Sequence, residues 1–306
     1  MVIPDLSGID SVTGFDSGVA GPHLLINALS HGNEPCGAVA IERLIRSGLR
    51  PRRGRLTLVL ANVAAFARYD PHRPLASRFI DEDFNRLWSA AVLDGPGDSV
   101  ELRRARYLLP LYQQADALLD LHSMATPGDP LILCGWPGRA RALACSLGFP
   151  RWVVADPGHA AGRRLIESGD FARSDAEVGP EGKLALLVEC GQHGVAETAE
   201  TAFNVSLRFL RCFDVINDDL FPISEMSGPV RQIMVEVTEV VTVIGDSFIH
   251  ESERRNMEII AEAGTIIGFD QGRSIRTPYD NCVLILPARK VGRGQTAVRF
   301  GRIVVE

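Results

Sequence analysis

In the stretch INALSHGNEP (residues 26–35) a histidine and a glutamate, His31 and Glu34, stand three positions apart directly after an apolar run. At the mouth of a helix that spacing lets an imidazole and a carboxylate point to one side and share a metal ion, and Gly32 lets the backbone turn tightly between them. The pair suits a polar turn or a helix start equally well, and most pairs of this kind are surface or capping residues. Two more residues bear on the choice. His122 ends the apolar run ALLDLHS (117–123), and Glu189 ends LALLVEC (184–190). His122 by itself reads as readily as a core histidine at a strand end. Glu189 is harder to set aside, because an ionised carboxylate placed directly after an apolar run is costly to bury without a partner. Taken together, two neutral imidazoles and one carboxylate are the protein ligands of an open catalytic zinc, with water in the fourth position. Such an ion brings the pKa of its water to about 7 and polarises a carbonyl oxygen. A separate carboxylate must still take the water's proton and hand it to a leaving amine. Glu189 is the candidate for that base.

The stretch RFIDEDFNRLW (78–88) supplies groups for a substrate. Asn85 and Arg86 offer an amide and a forked guanidinium, which together can grip a carboxylate through paired hydrogen bonds. Arg78 can place positive charge beside an oxygen that becomes an oxyanion. A salt-bridged loop among Arg78, Asp81, Asp83 and Arg86 accounts for the same residues equally well.

The elements that must position these groups are legible in the apolar runs. HLLINAL (23–29), RLTLVLAN (55–62), ALLDLHS, PLILC (130–134), RWVVAD (151–156) and LALLVEC are apolar nearly throughout, as strands covered on both faces should be. Between them lie helical patterns: EPCGAVAIERLIRSGL, with Pro35 in its first turn and Gly48 at its end, SVELRRARYLLPLYQQA, GRARALACSLG and AETAETAFNVSLRFLRCF. The alternation predicts an α/β layered fold with a mainly parallel sheet flanked by helices over residues 1–222. His31, Glu34, Asn62, His122 and Glu189 then all fall at carboxyl ends of strands, the edge at which open sheets bind ligands. From residue 223 to 306 the texture changes to short β-rich pieces spaced by glycine and proline, which predicts a smaller β domain.

The bulk numbers narrow the function classes. A chain of 306 residues that is 46% apolar can bury a large core. A net charge of −6 without a sustained basic block argues against nucleic acid and anionic membrane as partners. The six cysteines are widely spaced, which suits reduced thiols. With no basic-apolar leader and no apolar run of about 18 residues, a soluble cytoplasmic protein is expected.

The series HGNE, AN, AFAR, RFIDEDFNR, DLHS and VECGQH, in that order, resembles the succinylglutamate desuccinylase and aspartoacylase family, itself related to zinc carboxypeptidases. The resemblance spans about residues 23–195. It implies a zinc-carboxypeptidase-like sheet and a deacylase with one Zn2+ per chain that cleaves a small-molecule N-acyl amino acid or related N-acyl amine. It also implies that His31, Glu34 and His122 bind the metal and that Glu189 acts as base and then acid. Arg78 would polarise the scissile carbonyl, Asn85 and Arg86 would hold the substrate's carboxylate, and Asp83 would orient its neighbours. The β-rich part resembles the family's barrel-sandwich module, related to biotinyl and lipoyl modules, without an acceptor motif around Lys290. It is expected to cap the cleft or to mediate assembly into a homo-oligomer. Tyr279 stands as the counterpart of a substrate-binding tyrosine from this module. A further substrate arginine before the catalytic glutamate is unmatched, with Arg173 and Lys183 both imperfectly placed, and His193 is read as ending the strand. Carboxypeptidase action on short peptides and non-catalytic metal or metabolite binding are the alternative readings.

Overall fold

The structure is a computed structural model that describes residues 4–135, 137–158, 161–179, 181–216 and 230–304. The apolar runs become β2 (His23–Ala28), β3 (Arg55–Leu60), β4 (Ala117–Met124), β5 (Leu131–Cys134), β6 (Trp152–Ala155) and β7 (Leu184–Gln192). An additional strand, β1 (Val12–Asp16), precedes them. It is only half-covered and pairs antiparallel with β3 at the sheet's edge, so it lacks the continuous apolar signature that gave the others away. The helices are α1 (Cys36–Arg46), α2 (Val63–Phe66), α3 (Ala90–Leu93), α4 (Val100–Gln114), α5 (Gly138–Ser146), α6 (Asp175–Val178) and α7 (Ala196–Cys212). Pro35 caps α1, and Gly48 follows its end with φ +74, the left-handed position glycine fills most easily. None of the helices among the described residues is long and apolar enough to cross a membrane.

The strand order is β1-β3-β2-β4-β7-β5-β6, continuing into the C-terminal strands β8 (Ile233–Thr242), β14 (Thr296–Val304), β13 (Cys282–Ile285) and β10 (Glu258–Ile260). Strands β2, β3, β4 and β7 run parallel, as do β5, β6 and β8, while β5 meets β7 antiparallel. A second small sheet joins β12 (Arg273–Arg276), β11 (Ile266–Asp270) and β9 (Phe248–His250). The expected change of texture is therefore real, yet the large sheet crosses it: β8 lies alongside β6 from Trp152↔Ile233 to Ala155↔Glu236. The expected boundary at 222/223 lies outside the described residues.

Period-two alternation sends neighbouring strand residues to opposite layers. Leu24, Ile26 and Ala28 pack beneath α1, α5 and α7, whereas Leu25 faces the layer built by α4, Phe84 and Trp88. Burying each large apolar side chain stabilises the fold by roughly 1.5–3 kcal/mol. That double cover holds the carboxyl ends of β2, β4 and β7 in register, with Leu121 opposite Val188 and His122 opposite Glu189.

Candidate metal centre and active site

The chain leaves β2 through Leu29, a buried residue in the left-handed region at φ 58. That conformation costs on the order of 1–3 kcal/mol in a residue with a Cβ, and it turns the backbone so that Ser30 and His31 aim back across the sheet edge. Gly32 follows, for a different reason from the tight turn expected. A Cβ there would sit 2.4 Å from the Ala65 carbonyl carbon and 2.4 Å from the Ser77 oxygen, so glycine is needed because two other segments press against this backbone. Gly32 N–H donates to the Arg78 carbonyl at 3.1 Å, tying the His31 turn to the arginine loop.

Glu34, at the entrance to α1, stands between two imidazoles. Its Oε1 is 2.9 Å from His31 Nδ1 and its Oε2 is 2.9 Å from His122 Nδ1. The two rings meet edge to face with centroids 5.2 Å apart. All three side chains are buried, and one ligand atom from each lies within 4.8 Å of the others. The outer nitrogens have partners of their own. His122 Nε2 is 2.9 Å from Asp120 Oδ2, and His31 Nε2 is 2.9 Å from Asp83 Oδ1. With its Nε2–H donating to Asp120, His122 turns its Nδ1 lone pair to Glu34, while His31 Nε2 faces both the Asp83 acceptor and, at 2.8 Å, the Arg78 Nη2 donor. The three residues can offer three electron-pair donors to one point. The arrangement therefore fits a divalent cation. Without the ion, protons must serve. Burial works to raise the Glu34 carboxyl, but the two histidines hold it well below the usual range; burial works against charge on His122, but Asp120 and Glu34 hold it well above.

Asp120 is itself anchored. Its Oδ1 accepts from Asn27 Nδ2 at 2.7 Å and from Ser30 Oγ at 3.2 Å, and the Tyr112 hydroxyl of α4 donates to Asn27 Oδ1 at 2.7 Å. Sequence reasoning left this chain of groups out. A signal was present, since Asp120 interrupts an apolar run just as Glu189 does.

Glu189 lies beside this centre in register with His122, and its Oε2 is buried with no hydrogen-bond partner. Burial pushes its carboxyl up to about 7, against the pull of His122. A carboxyl so placed can take and return a proton near neutrality. His193 does end the strand, as expected, and it also reaches the centre's rim: its Nδ1 is 2.8 Å from Ser123 Oγ, next to His122.

Of the salt-bridged loop expected among Arg78, Asp81, Asp83 and Arg86, the Arg78–Asp83 pair forms. Arg78 Nη1 donates to Glu34 Oε1 at 3.2 Å and Nη2 to Asp83 Oδ2 at 3.0 Å, so the salt bridge is formed at the centre itself. Burial works to lower the Arg78 pKa, but Asp83 and Glu34 raise it. Asp81 instead caps α4 through Val100 N–H. Arg86 Nη1 donates to the Asn85 carbonyl at 2.7 Å, and the residue lines an open cleft of about 580 Å³ together with Asp83, Leu87, Ser89 and Arg163. Glu101, fully buried at the start of α4, holds the loop's backbone. It accepts from the N–H groups of Ile80, Asp81 and Glu82 and from Asn62 Nδ2 at 2.6–3.3 Å. Asn62 thus sits at the strand edge as read, but it serves the loop.

The remaining candidates lie elsewhere. Tyr279 bonds Thr238 Oγ1 at 2.5 Å and stacks under Arg302, contacts made within the C-terminal part. Lys183 reaches the Gln113 carbonyl at the opposite end of β7 from Glu189, and Arg173 is an exposed residue near Asp170.

Residues 20–209 match the family model described as the succinylglutamate desuccinylase/aspartoacylase catalytic domain. Among solved structures, a succinylglutamate desuccinylase/aspartoacylase from Rhodobacter sphaeroides is similar with TM-score 0.68 and 18% identity over 96% of this chain and 89% of that one. A succinylglutamate desuccinylase from Vibrio parahaemolyticus gives 0.66 and 17% over 96% and 86%. The ectoine utilization protein EutE (DoeB) from Ruegeria pomeroyi, a product-bound structure, gives 0.62 and 19% over 95% and 88%. These likenesses are of fold. No curated protein matches.

Proposed function

Because the chain belongs to the succinylglutamate desuccinylase/aspartoacylase family, we propose that it is a zinc-dependent hydrolase cleaving the amide bond of a small N-acyl amino acid. The observation that carries this reading is the convergence of His31, Glu34 and His122, with the unpartnered Glu189 carboxyl alongside. His31, Glu34 and His122 would hold one zinc ion, which when bound supplies Lewis acidity to water and to the scissile carbonyl.

The protein's own groups carry the proton traffic. Glu189 removes the proton from the attacking water and delivers it to the amine nitrogen as the C–N bond breaks, so the amine departs neutral. Arg78, fixed by Asp83, keeps its charge and stabilises the oxygen that gains negative charge. Asn85 and Arg86 bind the carboxylate of the amino-acid portion and orient the amide towards the centre. The open cleft beside Arg86 gives a small substrate its approach.

Metal analysis of purified protein, followed by assay on a panel in which the acyl group and the amino acid vary independently, tests the reading. About one zinc per chain and amine release from at least one N-acyl amino acid are expected. Stoichiometric zinc without turnover across the panel would leave a metal-binding module and sink the hydrolase.

A further inference from the structure

The proposed carboxylate grip depends on an amide with two unlike ends. Asn85 Oδ1 accepts a hydrogen bond from Leu165 N–H at 2.8 Å, and among the described residues Nδ2 has no protein partner. An amide turned over would present oxygen instead of NH2. A substrate carboxylate only accepts hydrogen bonds, so the Leu165 N–H decides whether Asn85 can bind it.

That N–H is available because Leu165 opens a short 3-10 helix, Leu165–Glu167, whose first amides have no partner inside the helix. The turn is pinned by Arg164, which is 1% exposed. Arg164 Nη1 lies 2.9 Å from Asp156 Oδ2 and Nε 3.0 Å from Glu167 Oε1, while its backbone N–H donates to Glu167 Oε2 at 2.9 Å. Asp156 follows the end of β6, and its Oδ2 is also 3.0 Å from Arg299 Nε of β14. The preceding residue is tied down as well, since Trp88 N–H donates to the Arg163 carbonyl at 3.3 Å. A buried guanidinium held on two carboxylates cannot shift without leaving charge unpaired. The turn, and with it the Leu165 N–H, has one place to be.

We infer that Arg164 is a positioning residue for substrate carboxylate recognition: it fixes the turn whose Leu165 N–H holds the Asn85 amide with its NH2 towards the substrate. This rests on reading Asn85 as part of the carboxylate grip. Arg164→Met removes the anchor. Leu165→Pro removes the N–H donor and sets the ring Cδ against Asn85 Oδ1, so the amide must turn away; it also shortens a buried side chain, while proline suits a first helical position behind the extended Arg164 (φ −77, ψ 160).

Each variant is assayed on an N-acyl amino acid and on the same compound with its carboxylate converted to a primary amide, the latter as substrate or as competitor. Both variants should lose about tenfold in kcat/KM on the carboxylate compound, through KM, with less than about twofold change in kcat, in metal content and in binding of the amide compound. Adding Leu165→Pro to Asn85→Ala should leave the carboxylate-to-amide ratio where Asn85→Ala put it. If Asn85→Ala does not lower that ratio, the carboxylate grip itself fails. If it does, while Arg164→Met and Leu165→Pro leave the ratio unchanged or reduce activity on both compounds alike, the positioning role is overturned. Should Arg164→Met not fold, Leu165→Pro alone decides.

Discussion

At the residue scale, the centre separates groups that hold charge from the one that moves it. Glu189→Gln should keep the metal, because Glu189 is not among the three converging ligands, and should lower kcat by about 10²–10⁴-fold; metal content measured beside turnover distinguishes this from His122→Ala, which should lose both. Asp120→Asn keeps the shape but weakens the acceptor behind His122 Nε2, and should reduce metal affinity by about 10–100-fold in competition with a chelator. These residues were unequally legible. Glu189 and His122 stood out because a polar group at the end of an apolar run needs a reason to be there. Asp120 offered the same signal but lies inside the DLHS series, where the histidine drew the reading. Glu101 offered none: an acid in the first turn of a helix is ordinary, and only the path of the 78–86 loop shows what it accepts.

At the element scale, strands covered on both faces were readable from composition alone, while the pieces between them were not, because their conformation is set by distant partners. The arginine loop is the clearest case. Its residues gave no way to choose between a salt bridge and a substrate contact, and the fold forms the salt bridge by placing Arg78 between Glu34 and Asp83. Glu101→Ala would leave three backbone N–H groups and an amide without their acceptor, so a loss of at least about 3 kcal/mol in unfolding free energy is expected from urea denaturation. Gly32→Ala sets a Cβ against main-chain atoms that cannot give way. It should displace the His31 turn, and a metal affinity equal to wild type would show that the packing has slack.

At the scale of the whole molecule, the buried group Asp156, Arg164 and Arg299 joins β6 to the C-terminal strands. Burial works to raise the Asp156 carboxyl, but Arg164 and Arg299 hold it below its ordinary value of 3.8. A carboxyl depressed in the folded state is stabilising at every pH above its unfolded value, and that contribution fades as pH falls through the lower, folded one. Stability from this group should hold down to about pH 4 and fail only in stronger acid. Asp156→Asn should cost about 3–5 kcal/mol at neutral pH and flatten the acid limb of a urea-midpoint profile. The sequence showed a change of texture near residue 222 but not that hydrogen bonding continues through it, because strand pairing between distant segments leaves no local mark.

The pairing of β6 with β8 also limits how the molecule can be divided. A fragment trimmed to the 20–209 match would retain every proposed ligand yet bare the main-chain donors and acceptors along Trp152–Ala155, turning a sealed interior strand into an adhesive border. Such a fragment should associate further in light scattering than the intact chain does, so dissection of this protein would have to begin from its sheet rather than from its family boundary.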